Sequence, residues 1–112
     1  MDATTAPAPR SGSLLPPGAA PPAGERTETV LALGPLLIEQ ILSGPSNGRH
    51  DYLQDSDEWV VVLAGAAVME VAGEALELGP GDWAFLPAGV PHAVVATAAG
   101  TSWLAVHRSP TA

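Results

Sequence analysis

The chain contains no cysteine and no lysine. Without thiols there can be no disulfide, no thiolate zinc site, no iron–sulfur cluster and no cysteine nucleophile. Any bound metal would have to rest on nitrogen and oxygen ligands. Without lysine, four arginines stand against 12 carboxylates, and the formal net charge is −8. Arg10, Arg26, Arg49 and Arg108 are scattered along the chain rather than clustered. Recognition of a phosphate backbone needs a basic face, so neither nucleic acid nor an anionic membrane surface is an expected partner. No apolar run approaches the roughly 18 residues that suggest a membrane span. The N-terminus lacks the charged start and apolar core of a signal peptide. A soluble, cytoplasmic protein is the expectation. Aromatic residues are few as well, at three tryptophans, one tyrosine and one phenylalanine.

What is present is apolar and heavily punctuated. Hydrophobic residues make up 46% of 112 positions, enough to bury a core, and glycine and proline number 12 each. That density favours many short strands over long helices. The length suits a single domain. Residues 1–12 read as a disordered tail rich in proline and alanine, unable to bury enough surface to offset its ordering entropy. Residues 13–109 read as the folded domain, with Leu14-Leu15 expected to dock on it.

From Arg26 onward the pattern is one of strands. Thr27 to Leu33 and Leu36 to Leu42 are separated by Gly34-Pro35. Gly44 to Gly48 is a turn cluster, and Asp51 to Asp57 is polar with Tyr52 and Leu53 interleaved. Trp59-Val60-Val61-Val62-Leu63 is the strongest strand by β-branched content. Ala67 to Ala72 is expected to pair with it as a hairpin around Ala64-Gly65-Ala66. Short strands follow at Ala75 to Leu78, between Gly81 and Pro87, at His92 to Ala96 and at Ser102 to His107. Eight or nine such strands without helical crossovers predict an all-β antiparallel jelly-roll β-barrel, which protects its sheet edges.

The most distinctive stretch runs from Pro80 to His92. Pro80-Gly81 and Pro87-Ala88-Gly89 are turn signals around a short apolar strand. Pro91 fixes its own φ and biases Val90 towards an extended conformation. His92 is thereby delivered onto the next strand in a defined position, which suits a ligand or a proton-transfer group.

The pattern Gly81-x5-Pro87-x-Gly89-x2-His92 resembles the second signature of the cupin family. Only its last position departs, where Ala96 replaces an asparagine. The second half of the first signature is also present, as Glu58, six residues and Gly65. Its His-x-His is missing. Counting back three residues from Glu58 places Tyr52-Leu53-Gln54 there; counting back four places Asp51-Tyr52-Leu53, and counting forward from Gly44 reaches His50-Asp51-Tyr52. The first register is preferred, because tyrosine and glutamine both donate and accept hydrogen bonds.

The resemblance implies a barrel holding a divalent ion (Mn, Fe, Ni, Cu or Zn) on imidazole and carboxylate ligands. Carried over residue by residue, only Glu58 and His92 match, with the Gln54 amide oxygen as a weak third ligand. Glu58, His92 and Tyr52 are the candidate catalytic residues. The competing reading of Glu58 and His92 is a buried structural pair without metal. His50 reads as solvated, with a displaced-ligand role as its alternative. His107 shares a strand face with Trp103 and Ala105, and reaches the cavity if that face is interior. Asp51, Asp55 and Asp57 read as a solvated acidic loop. Trp59, Trp83, Phe85 and Trp103 read as core or subunit-interface residues. Trp59 points away from Glu58, so a homodimer partner is expected to cover it.

The function expected is a small cupin-like barrel binding an unidentified small molecule. It would carry an atypical divalent metal site and isomerase- or oxygenase-like chemistry. The alternative is a metal-free, non-catalytic ligand-binding or accessory protein, and the family resemblance leaves open whether the chain is an enzyme.

Overall fold

Alternation of inward apolar and outward residues builds the strands here, and turn residues separate them. The computed structural model describes residues 8–110. The part of the expected tail that falls in residues 1–7 lies outside the described residues. Nine strands follow in order: β1 (Glu25–Leu33), β2 (Leu36–Ser43), β3 (His50–Tyr52), β4 (Asp57–Ala64), β5 (Ala67–Val71), β6 (Glu74–Leu78), β7 (Trp83–Leu86), β8 (His92–Thr97) and β9 (Thr101–Arg108). One 3-10 turn at Pro17–Ala19 is the only helical element among the described residues, and none of their helices is long and apolar enough to cross a membrane.

The strands form two antiparallel sheets. One has the order β1-β2-β9-β4-β7 and the other β3-β8-β5-β6. This is the expected all-β jelly roll. Val60 and Val62 face inward from the first sheet with Ala84, Leu86, Trp103 and Ala105, all buried. Ala67, Met69 and Leu78 meet them from the second sheet and complete one core cluster.

One pairing differs from expectation. β4 and β5 do not form a hairpin. β4 is flanked by β7 and β9, whereas β5 pairs with β6 and β8. The connection therefore crosses between sheets, so Val62 and Met69 meet across the core instead of side by side. Gly65 makes the crossing possible: its φ is +85°, and a Cβ there would lie 2.5 Å from Thr101 Oγ1. The polar stretch after Arg49 also holds a strand that its composition did not announce. β3 pairs with β8 and sets Tyr52 directly opposite His92.

The segment before β1 lies against the first sheet. Gln40 donates to the Leu15 carbonyl at 2.8 Å and accepts from the Leu15 N–H at 2.9 Å. Leu14, by contrast, remains 42% exposed.

Candidate functional site

His92 is positioned largely by backbone. The Asp82 carboxylate accepts from the Gly79 N–H, and Val62 exchanges main-chain bonds with Gly81 and Asp82, so the turn into β7 is locked to β4. Gly89 donates to the Gln54 carbonyl at 2.8 Å, tying the turn after β7 to the segment before β4. Ala72 donates to the Pro91 carbonyl, which holds the last residue before His92. The imidazole is buried, with its side chain 5% exposed. Its Nδ1 lies 3.2 Å from the Val90 carbonyl. A carbonyl can only accept, so Nδ1 carries the proton, and the neutral ring then presents a lone pair on Nε2.

Nε2 faces Glu58, whose Oε1 lies 3.9 Å away, beyond hydrogen-bond reach. Gln54 donates its amide N–H to the same Glu58 Oε1 at 2.8 Å. The Tyr52 ring stacks on His92 with centroids 5.6 Å apart and planes 16° from parallel. Tyr52 is 37% exposed as a whole residue, but partial burial of its phenol against the cavity mouth holds its pKa above the ordinary value, and the carboxylates of Glu25 and Glu58 add to the effect.

These side chains open into a cavity of about 180 Å³ between the sheets. Ile41, Val60, Met69, Leu86, Val94 and Trp103 supply its apolar lining. Tyr52, Gln54, Glu58 and His92 line it together, while Leu53 between them points outward at 71% exposure. His107 lines it too, from β9, directly opposite Glu58 in register. It is half-buried there, away from the sheet edge, because β9 lies between β2 and β4. His107 Nε2 lies 3.0 Å from Glu39 Oε1. The carboxylate sits off the ring-nitrogen axis, however, so buried Nε2 has no aligned hydrogen-bond partner.

Two lining residues, Glu39 and Glu25, were not singled out from the sequence. Glu39 did leave a signal: with Gln40 it interrupts a mainly apolar strand, and a charge at mid-strand needs a polar face or a cavity. Glu25 lies just before the stretch read as the first strand, and its Oε2 accepts from Ser43 Oγ at 3.1 Å. His50 is exposed on β3 and is not part of the lining. Asp57 is not merely a solvated loop residue: it starts β4, accepts from the Ala88 N–H at 3.0 Å and is bonded by Arg108. The Ala88 bond first, and Arg108 second, hold its carboxyl below the ordinary range. Asp51 is exposed and paired with Arg49.

The donor set is a poor fit to a divalent ion. Among the described residues no three histidine or carboxylate side chains converge as a metal-holding group. Gln54 turns its nitrogen, not its oxygen, towards Glu58, which makes the amide a donor to the carboxylate where a ligand would have to accept. The Tyr52 phenol holds its proton and is no phenolate ligand at neutral pH.

A jelly roll with a cavity between its sheets, entered by a histidine after a Gly-Pro-Gly turn pair, defines a class of small barrel. Residues 39–107 match the family model of the cupin domain, and the chain belongs to the cupin family. A Ralstonia eutropha JMP134 protein, provisionally assigned as a mannose-6-phosphate isomerase, is 34% identical; the match covers 91% of this chain and 100% of that one, with a TM-score of 0.70. KdgF from a Halomonas species is 20% identical over 79% of this chain and 81% of its own, with a TM-score of 0.68. An RmlC-like cupin from Shewanella frigidimarina NCIMB 400 is 21% identical over 80% and 78%, with a TM-score of 0.67. The last two likenesses concern the fold alone. No curated protein is significantly similar to the chain.

Proposed function

We propose that the chain binds one small polar molecule in the barrel cavity, held chiefly by Glu58 and His92. The observation that carries this reading is the convergence of two carboxylate–imidazole pairs, Glu58 with His92 and Glu39 with His107, on a single cavity. Ionised carboxylates in an apolar barrel are costly unless paired, and neither pair is fully satisfied within the protein. Such a pair can take a proton from one carbon of a ligand and return it to the next, which supports an isomerase-like use of the site. The 34% identical Ralstonia protein is named in the same sense. Oxygenase-like chemistry would need a redox metal, which this donor set supports poorly. The metal-free form of the reading is therefore preferred.

Thermal melting of purified protein against sugars, hydroxy acids, polyols and amines tests binding. At least one compound should raise the melting temperature of the native chain and not of Glu58→Ala or His92→Ala. Equal shifts in all three proteins would remove the proposal. Elemental analysis of tag-free protein tests the metal: we expect sub-stoichiometric content that is indifferent to both substitutions. One equivalent of metal that is lost in each would restore the metal-dependent reading.

A second copy of the chain is the partner proposed. The outer face of β4 and β7 carries Trp59, Val61, Leu63, Trp83 and Phe85, and the one carboxylate at its end, Asp57, is paired with Arg108. Trp83 is 60% and Phe85 51% exposed. On a chain of net charge −8, an aromatic face without unpaired charge is where two copies meet with least repulsion. The charge balance keeps nucleic acid and anionic membranes outside the proposal, and the cytoplasm is the compartment proposed.

A further inference from the structure

The charge of the cavity narrows the class of ligand. Its lining includes three carboxylates, Glu25, Glu39 and Glu58, and two imidazoles, His92 and His107, with no arginine. Lysine is absent from the whole chain. With both rings neutral the lining carries −3, and with both protonated −1, so it is negative in either case. None of the four arginines reverses this sign: Arg26 pairs with Glu28, Arg49 with Asp51 and Glu70, and Arg108 with Asp57, and Arg10 lines a separate groove. A phosphate ester or carboxylate entering the barrel would meet like charge in a low-dielectric space.

The hydrogen-bond inventory points the same way. His92 donates through Nδ1 to Val90, so the neutral ring presents an acceptor at Nε2, on a side chain only 5% exposed. Across 3.9 Å it faces Glu58, another acceptor. Glu58 receives one bond, from Gln54 to Oε1, and among the described residues no group donates to its second oxygen. His107 Nε2 is buried without an aligned partner. Two acceptors set face to face need a group with at least two hydrogens lying beside both of them. A positive charge on that group would also offset the burial of the carboxylate.

Resting on the reading that the cavity binds a small molecule, we infer that its ligand class is the small organic cation. An ammonium group shares its hydrogens between Glu58 and His92 Nε2, and the hydrocarbon part lies on the floor formed by Val60, Met69, Leu86 and Trp103. The volume of about 180 Å³ suits a compact monoamine better than a nucleotide or an oligosaccharide. The inference separates this chain from sugar-phosphate chemistry, despite the name given to its Ralstonia relative.

The test is a titration of the purified chain, followed through its three histidine ring resonances by NMR, with cyclohexylamine, cyclohexanol and mannose 6-phosphate as probes. A charged hydrogen bond in a buried site is worth about tenfold or more in affinity. Cyclohexylamine should therefore bind at least about tenfold more tightly than cyclohexanol, move the His92 signals, and weaken by a similar factor in Glu58→Gln. Mannose 6-phosphate should leave the His92 signals in place. Glu39→Gln, which keeps the Glu58–His92 pair, should weaken the amine less than Glu58→Gln; the reverse order would overturn the assigned seat. If cyclohexanol or mannose 6-phosphate moves the His92 signals at equal or lower concentration than the amine, the cationic class is wrong while the cavity-binding reading stands. If no probe moves them, both fall. Amine binding that vanishes on chelation and returns with a divalent ion would also overturn the inference, because the seat would then belong to the metal.

Discussion

Tyr52 is the only tyrosine in the chain, so its ionisation can be followed without ambiguity. Burial first, then the charges of Glu25 and Glu58, raise its pKa above the ordinary value of 10.0. Because the folded-state value is the higher one, its contribution to stability is intact below pH 10.0 and is lost as pH rises through the folded-state value. A phenolate absorbance titration should therefore give a midpoint above 10.0. Glu58→Gln should lower that midpoint without restoring it fully, since burial, the larger cause, remains. Tyr52→Phe should flatten the alkaline decline in stability. A native midpoint at or below the ordinary value would mean that Tyr52 is not enclosed by the cavity mouth. The same residue illustrates how far the site was legible. Spacing from Glu58 led to Tyr52 and Gln54, and the shared face of Trp103, Ala105 and His107 pointed to a third wall. Glu39 left only a mid-strand charge and Glu25 no signal at all, because which charges line one cavity depends on pairing across strands distant in sequence, which no local pattern encodes.

At the scale of elements, the turn between β5 and β6 stores strain. Ala72 and Gly73 have φ of 50° and 84°, the left-handed pair that two-residue hairpins prefer. Glycine takes this conformation without cost, whereas alanine is penalised by its Cβ. Ala72→Asn creates the Asn-Gly pair favoured there and should stabilise the fold by up to about 1 kcal/mol, measured by chemical denaturation. A loss of stability would show that the Ala72 methyl has a packing role. This turn also shows what strand signals convey. Their existence and approximate bounds follow from apolar alternation and turn residues. Their partners do not, because a loop as short as Ala64-Gly65-Ala66 suits both a hairpin and a crossing between sheets. Here the crossing prevails because β7 and β9 already occupy both edges of β4. β3 was hidden for a related reason: His50, Asp51 and Tyr52 are all exposed, so the strand is held by its pairing with β8 rather than by an apolar pattern.

For the whole molecule, the outer face of β4 and β7 decides the state of association. Trp59 and Trp83 lie 6.2 Å apart, ring to ring, on that face. Substituting Trp83→Asp or Phe85→Asp places charge at its centre without touching the core, since the inward neighbours Ala84 and Leu86 are unchanged. Either variant should sediment as a monomer of 11.3 kDa while the native chain sediments as a dimer and the melting profile keeps its cooperativity. A native chain that is monomeric at micromolar concentration would leave this face without the proposed partner. On the other flank of the same sheet, Gln40 grips Leu15 through the main chain alone, by one donated and one accepted bond. A clasp of that kind is blind to side-chain identity. The segment it holds can accumulate substitutions freely and keep its place, provided position 15 is not proline, which has no N–H to offer. Divergence among relatives should therefore run fastest where this strap lies, and a graft of foreign sequence there should inherit its position from Gln40.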